Sequence, residues 1–273
     1  LGNYVGGYAT FNLTGGVPAI SNDFRINNNG QTSSKTPGDY IPVSQGFFVS
    51  TVGATGGNVI FKNSQRVFAK ESTASSVFLK TTPTKSKSNN EVSIYSNPLI
   101  RLMYDSPEGY HRQIVIGANK NASLGFDIGY DAYMADVNKE DMYWILNNSK
   151  FVIQGVNNFN DNQEFPIGLI VNKAGVIKIK LDHLENIDTS KSLYIKDNIT
   201  EETYSINETP FEIYLEAGTY NDRFKLVFQP TQKTLDVNDL TLENNLITYY
   251  EHQNSNLTII LKSDAIVNKG SIL

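Results

Sequence analysis

Cysteine is absent from this sequence. That removes disulfide staples and the thiolates that a zinc site usually wants. A cysteine-free chain suits an exported bacterial domain and a cytosolic one equally, so the absence assigns no compartment. Tryptophan occurs once, and methionine and histidine three times each. No stretch approaches the ~20 apolar residues of a membrane-spanning helix, so membrane insertion is not expected. No long basic run is present either. With a net charge of −5 and a pI near 5.3, the chain lacks the concentrated cationic surface that nucleic-acid binding needs. No signal peptide is visible, and the chain opens at Leu1 rather than Met. It reads as a fragment or processed product of a larger protein.

What is abundant points to sheets. Tyr and Phe number 15 and 14, hydrophobic residues make up 40% and charged residues 19%, a globular composition rich in strand formers. Asparagine is the unusual excess at 31 residues, often in pairs such as Asn157 and Asn158. Asn tolerates positive φ and bonds to its own backbone, so these clusters read as turns between short apolar runs. A chain of 273 residues can bury a substantial core, as one large β domain or two of ordinary size plus a fragment.

Residues 1–80 are expected to form a first β-sandwich, incomplete at its start, around a strand at 41–50 that pairs with 59–61. Pro42 lies near the start of that strand, where a missing donor is tolerated. Residues 81–97 read as a linker. Residues 98–229 are expected to form a second β-sandwich. Strands at 99–104 and 113–116 flank a Ser106-Pro107-Glu108-Gly109 turn, and 143–146 and 151–154 flank Asn147-Asn148-Ser149-Lys150, a hairpin signal. Strands at 167–171 and 176–181 flank Lys173-Ala174-Gly175. Ile177, Ile179 and Leu181 alternate with Lys178 and Lys180, which buries one face and solvates the other. The same alternation recurs at Phe211, Ile213 and Leu215, and at Phe224, Leu226 and Phe228. Residues 230–234 read as a second linker. A hairpin of 246–250 with 257–261 then opens a third domain, 235–273, which two or three strands do not complete. The expected class is all-β: tandem antiparallel, jelly-roll-like β-sandwiches followed by a partial one.

Several segments in order resemble one kind of protein. They are Gly7-Tyr-Ala-Thr-Phe-Asn-Leu-Thr-Gly-Gly16, Tyr40-Ile-Pro-Val-Ser-Gln-Gly-Phe-Phe-Val49, Val59-Ile-Phe-Lys-Asn-Ser-Gln-Arg66, Gln113-Ile-Val-Ile-Gly117, Phe126-Asp-Ile-Gly-Tyr-Asp-Ala132 and Asn221-Asp-Arg-Phe-Lys-Leu-Val-Phe228. The succession resembles the C-terminal half of large surface proteins exported by the type IX secretion system of Gram-negative gliding and commensal bacteria. Leu235-Asp-Val-Asn-Asp239 and the strands after it are similar to the start of that system's C-terminal sorting domain. The resemblance implies export across the outer membrane to the extracellular face of the cell or beyond. It implies the translocon and an outer-membrane shuttle protein as partners; it does not imply a catalytic activity. The Gly-containing hairpin and short basic terminus of such sorting domains would lie beyond Leu273.

Candidate sites are few. Residues 119–141 hold Asp127, Asp131, Asp136, Glu140 and Asp141. Clustered carboxylates can hold Ca²⁺, with Asp127 and Asp131 as the candidates. The D-x-D-x-D-G spacing is missing, however, and Asp side chains that cap turns are the simpler reading. No cofactor is therefore expected, a structural Ca²⁺ being the alternative. Tyr130, Tyr133, Tyr143 and Trp144 cluster around the same stretch. Tyr130, Tyr133 and Trp144 are the candidates for stacking on a surface glycan, unless Tyr143 or Trp144 fills the core. His111, His183 and His252 lie in separate regions, and neither a His-Glu-x-x-His nor a Gly-x-Ser-x-Gly pattern occurs. No catalytic residue is assigned. The expected function is a non-catalytic stalk and sorting region; the alternatives are a carbohydrate-binding or adhesive module and an accessory domain of a secreted hydrolase.

Overall fold

The computed structural model describes residues 7–20, 36–50, 56–68, 97–188 and 191–231, and the backbone of 246–251 and 256–261. The fold is all-β, and the chain divides into two compact units, Leu1–Thr231 and Gln232–Leu273. The linker expected at 81–97 lies outside the described residues except for Asn97.

In the first unit a short hairpin, β1 (Thr10–Phe11) and β2 (Gly16–Val17), precedes the main sheet. That sheet contains β3 (Leu99–Asp105), β4 (His111–Ala118), β5 (Ala132–Tyr133), β6 (Asp141–Leu146), β7 (Ser149–Val156), β8 (Glu164–Val171), β9 (Gly175–Glu185), β10 (Tyr194–Asp197), β11 (Glu202–Ser205), β12 (Phe211–Leu215) and β13 (Gly218–Val227). Neighbours run β11-β10-β13-β8-β6-β7-β4-β3-β9-β12, with β5 added to β7. The pairings are antiparallel except β4 with β7, which run parallel from Val115↔Ile153 to Ala118↔Val156.

Two hairpins form where the sequence places them. β3 and β4 pair from Leu99↔Gly117 to Asp105↔His111, and Gly109 supplies the positive φ of 82° that their turn needs. β6 and β7 close on Leu146↔Ser149. Between them Asn147 and Asn148 have φ of 49° and 59°, the two consecutive left-handed residues of a type I′ turn.

β8 and β9 do not pair with each other although only a short turn separates them. β8 pairs β13 up to Val171↔Gly218, and β9 pairs β12 from Leu215↔Gly175. The four strands thus make one two-stranded ribbon that bends at 172–174 and 216–217. A register shift between Tyr220 and Phe224 bends the β13 side further. The bend lets all four strands face a common core, to which Ile177, Ile179, Phe165, Ile167, Phe211, Leu215, Phe224 and Leu226 contribute. Phe224 and Phe228 are buried as their alternation requires.

β4 is buried on both faces. Ile114 and Ile116 enter the main core, while Val115 joins Leu99, Val152, Ile153 and Val17 in a second cluster. That second cluster is covered by residues 7–20, which act as a strap. Asn97 Nδ2 donates to the Leu13 carbonyl at 2.9 Å and Arg101 Nη1 to the Gly16 carbonyl at 2.6 Å. Residues expected within a first sandwich therefore dock on the sheet built from 97–231.

The strands expected at 41–50 and 59–61 are not formed. Both segments are described, and neither carries a strand. Phe48 and Phe61 are 83% and 71% exposed. Gln45 N–H closes a turn on the Pro42 carbonyl at 3.0 Å with Ser44 at a φ of 72°, which breaks the first run. Strand-forming side chains need a paired neighbour to pack on before a strand is stable.

In the second unit, β14 (Leu246–Glu251) and β15 (Asn256–Leu261) pair antiparallel from Leu246↔Leu261 to Glu251↔Asn256, the hairpin expected there. The rest of 235–273 lies outside the described residues.

Candidate functional site

The loop between β4 and β6 gathers most of the candidate residues. It folds over the end of β7 and is fastened there by Asp131. Asp131 Oδ1 accepts the Gly155 N–H at 2.8 Å and Oδ2 accepts the Asp127 N–H at 2.6 Å. Burial, helped by the charge of Asp127, pushes the Asp131 carboxyl up to about 6, against the pull of its two backbone donors. Asp127 Oδ2 in turn accepts from Ser123 N–H and Oγ–H at 2.5 and 2.7 Å. The strap joins this clamp: Thr14 Oγ1 donates to the Tyr130 carbonyl at 2.7 Å, and Leu13 N–H to the Gly129 carbonyl at 2.8 Å. Only glycine fits at 155, where a Cβ would stand 2.7 Å from Tyr130 Cβ and 2.8 Å from Thr14 Oγ1.

Asp127 and Asp131 are thus brought together, as turn caps that accept backbone donors. Among the described residues no three His, Cys, Asp or Glu side chains gather as metal ligands.

The aromatic candidates separate. Tyr133 is 52% exposed and stacks on Phe151 at 4.4 Å, with Phe126 5.2 Å away. Tyr130 is half-buried. Trp144 is a correction to the binding reading: it is 0% exposed, and its indole N–H donates to the Val115 carbonyl at 2.8 Å. Its place in β6 beside inward-facing Met142 sends the ring into the main core. Tyr143 points the other way and lies over Gly168, where a Cβ would strike its ring. Its hydroxyl donates to Asn221 Oδ1 at 2.8 Å, and burial pushes it up to about 12.

Beneath the loop lies a polar ring that the sequence reading did not assemble. Arg112 Nε and Nη2 grip Asp141 Oδ1 and Oδ2 at 2.6 and 2.8 Å, and Nη2 also donates to the Asp136 carbonyl at 2.7 Å. Glu140 is fully buried and accepts three backbone N–H groups: Glu108 at 2.9 Å, Asn172 at 3.1 Å and Lys173 at 3.0 Å. One carboxylate therefore ties the β3–β4 turn to the bend of the ribbon. A signal for Arg112 existed, since it shares the parity of Ile114 and Ile116 in β4 and so had to be inward and paired.

Elsewhere the outer faces carry ion pairs. Asp105 sits between His111 and Lys180 at 2.5 and 2.8 Å, and the His111 hydrogen bond holds its carboxyl down to about 2. Two shallow hollows of ≈ 280 and ≈ 240 Å³ lie over β8, β10 and β13, one beside Asn198, Asn221 and Lys225 and the other beside Asp161, Gln163 and Lys196. Neither is lined by Asp131 or Tyr133.

No curated protein and no solved structure matches the chain. One family model does, the domain of unknown function DUF8693, over residues 7–228. That span takes in the strap, the whole main sheet and the Asp131 clamp, and the chain belongs to the DUF8693 family.

Proposed function

We propose that this chain is a non-catalytic stalk and sorting region of a bacterial cell-surface protein exported by the type IX secretion system. The observation that carries the reading is a coincidence of boundaries. The first compact unit ends at Thr231, the family match ends at 228, and the linker read from sequence at 230–234 precedes the segment similar to a sorting domain. The large sheet serves as the stalk, with the bent ribbon as its jelly-roll-like sandwich, and β14 and β15 begin the address that the translocon and its shuttle protein read. The candidate loop supports a structural role, because Asp131, Glu140 and Asp141 spend their oxygens on the protein's own donors. The test is a reporter fused upstream of this region with its native continuation, expressed in a gliding bacterium. Translocon-dependent appearance outside the cell is expected; retention in the periplasm with the translocon intact refutes the reading.

A second reading, a glycan-binding module, is favoured by Tyr133 alone, which keeps half its surface exposed on an aromatic base. Saccharide binding that is lost in Tyr133→Ala supports it, and a glycan array without hits removes it.

A further inference from the structure

The run from Gly56 to Phe61 carries the strand formers Val59, Ile60 and Phe61, which are 52%, 67% and 71% exposed and belong to no strand. Lys62, which follows, already has an extended backbone, with φ of −108° and ψ of 148°. Ring contacts hold the run to its own molecule: Phe61 meets Phe47 at 6.0 Å, and Phe48 meets Tyr8 of the strap at 5.4 Å. It therefore stands out from the strap with apolar side chains in water and no ladder partner among the described residues, a display that folded proteins rarely leave uncovered.

The main sheet ends in an open edge. β12 pairs β9 on one side, from Phe211↔Ile179 to Leu215↔Gly175, and among the described residues no strand lies on its other side. β11, at the far end of the strand order, touches β12 through the Tyr204 and Phe211 rings at 5.0 Å and makes no ladder with it. Phe211 and Leu215 enter the main core and Ile213 packs against it, while Glu212 and Tyr214 face solvent. A bare edge of this kind is a template for another strand.

Run and edge match in charge and in pattern. Lys62 and Arg66 are the only charged residues from 56 to 66, and Glu212 and Glu216 the only ones from 211 to 216. Aligned antiparallel, Val59 falls opposite Leu215, Ile60 opposite Tyr214, Phe61 opposite Ile213 and Lys62 opposite Glu212. The period of two then puts Val59 and Phe61 on the core side of β12 and Ile60 and Lys62 on its solvent side, where Lys62 shares Glu212 with Lys178. A slip of one residue would turn Lys62 toward the core.

We propose that this chain self-associates by strand addition, residues 58–62 of one copy extending the β12 edge of a second copy. Anchorage on its own strap leaves the run projecting toward a neighbour. Each copy holds one donor and one edge, so reciprocal exchange closes a dimer and head-to-tail exchange continues a row.

The absence of cysteine makes the pairing directly readable. Ile60→Cys is mixed with Tyr214→Cys under mild oxidation, and Ile199→Cys, on an exposed turn, replaces Tyr214→Cys as the control. Facing Cβ atoms of an antiparallel pair lie near disulfide reach, so mixed disulfide dimers are expected to form several-fold faster with Tyr214→Cys than with the control. Light scattering of wild type should show a mass that rises above the monomer with concentration. Phe61→Asp, a change at an exposed position, should abolish that rise. Cross-linking no faster than the control, with wild type monomeric throughout, overturns the proposal, and a strand supplied by a different protein would give this result. A doubly substituted Ile60→Cys, Tyr214→Cys chain that closes only on itself also overturns it, by seating the run on its own edge. Association undiminished in Phe61→Asp overturns it as well, by placing the contact elsewhere.

Discussion

At Asp131 a carboxylate sits between two backbone amides, next to a second acid, where burial outweighs the donors and raises its pKa to about 6. A carboxyl raised on folding contributes stability that is present below its ordinary value near ~4 and is lost as pH rises through about 6. Asp131→Asn removes that loss. The variant should therefore gain on wild type between pH ~4 and ~6.5, read as a Tm difference that grows with pH and then levels off; a constant difference would mean the carboxyl does not titrate there. Asp105 has the opposite sign. Held down to about 2 by His111 and Lys180, it stabilises the fold above its ordinary value and stops doing so as pH falls through about 2. Asp105→Asn should accordingly flatten the acid limb of wild-type stability below pH ~4, and an unchanged limb would assign acid unfolding to other groups. In the core, Phe224→Ala should cost ~3–5 kcal/mol in urea unfolding, since the ring is fully buried against Phe211. A cost under ~0.5 kcal/mol would contradict its inward register.

At the scale of elements, the bend of the β8–β9 and β12–β13 ribbon depends on Glu140. Glu140→Ala would leave the N–H groups of Glu108, Asn172 and Lys173 without their acceptor. A loss of ~1–3 kcal/mol is expected, since the three donors are only part-buried and water can replace some of what they lose, and urea unfolding below ~0.5 kcal/mol of loss would show that the bend holds itself. This dependence explains what the sequence discloses and what it conceals. The β6–β7 turn is written locally, in two adjacent Asn residues able to take positive φ, and its hairpin was legible. Lys173-Ala174-Gly175 reads like any other turn. Its partner is a carboxylate some thirty residues upstream, so nothing local says that β8 and β9 take different neighbours. The parallel β4–β7 pair is likewise non-local. Trp144 shows the same limit from the side-chain direction: four aromatics close in sequence suggest one surface, but β6 sends Trp144 into the main core and buries Tyr143 on the opposite face over Gly168. Within the candidate site, the pairing of Asp127 with Asp131 was legible as turn capping, and the parity of Arg112 in β4 marked it as inward, whereas its partners Asp136 and Asp141 appear only when the loop folds over β4.

For the whole molecule, the alternation that exposes Lys178 and leaves Lys180 half-exposed while burying Ile177 and Ile179 was enough to assign an all-β class, because a period of two is a property of the strand itself. The placement of 7–20 on the distant β3–β4–β7 face was not legible, since a strap is chosen by the surface it covers. Residues 41–50 and 56–61 show the converse, strand-forming residues, largely exposed, that carry no strand. The central claim is that this region travels to the cell surface as a folded, non-catalytic body, and protease shaving of intact cells that express the parent protein tests it most directly. Peptides from 97–231 should be released from cells with a working translocon and from none lacking it. Release that is equal in both strains, or found in neither although the protein accumulates inside, would contradict the account.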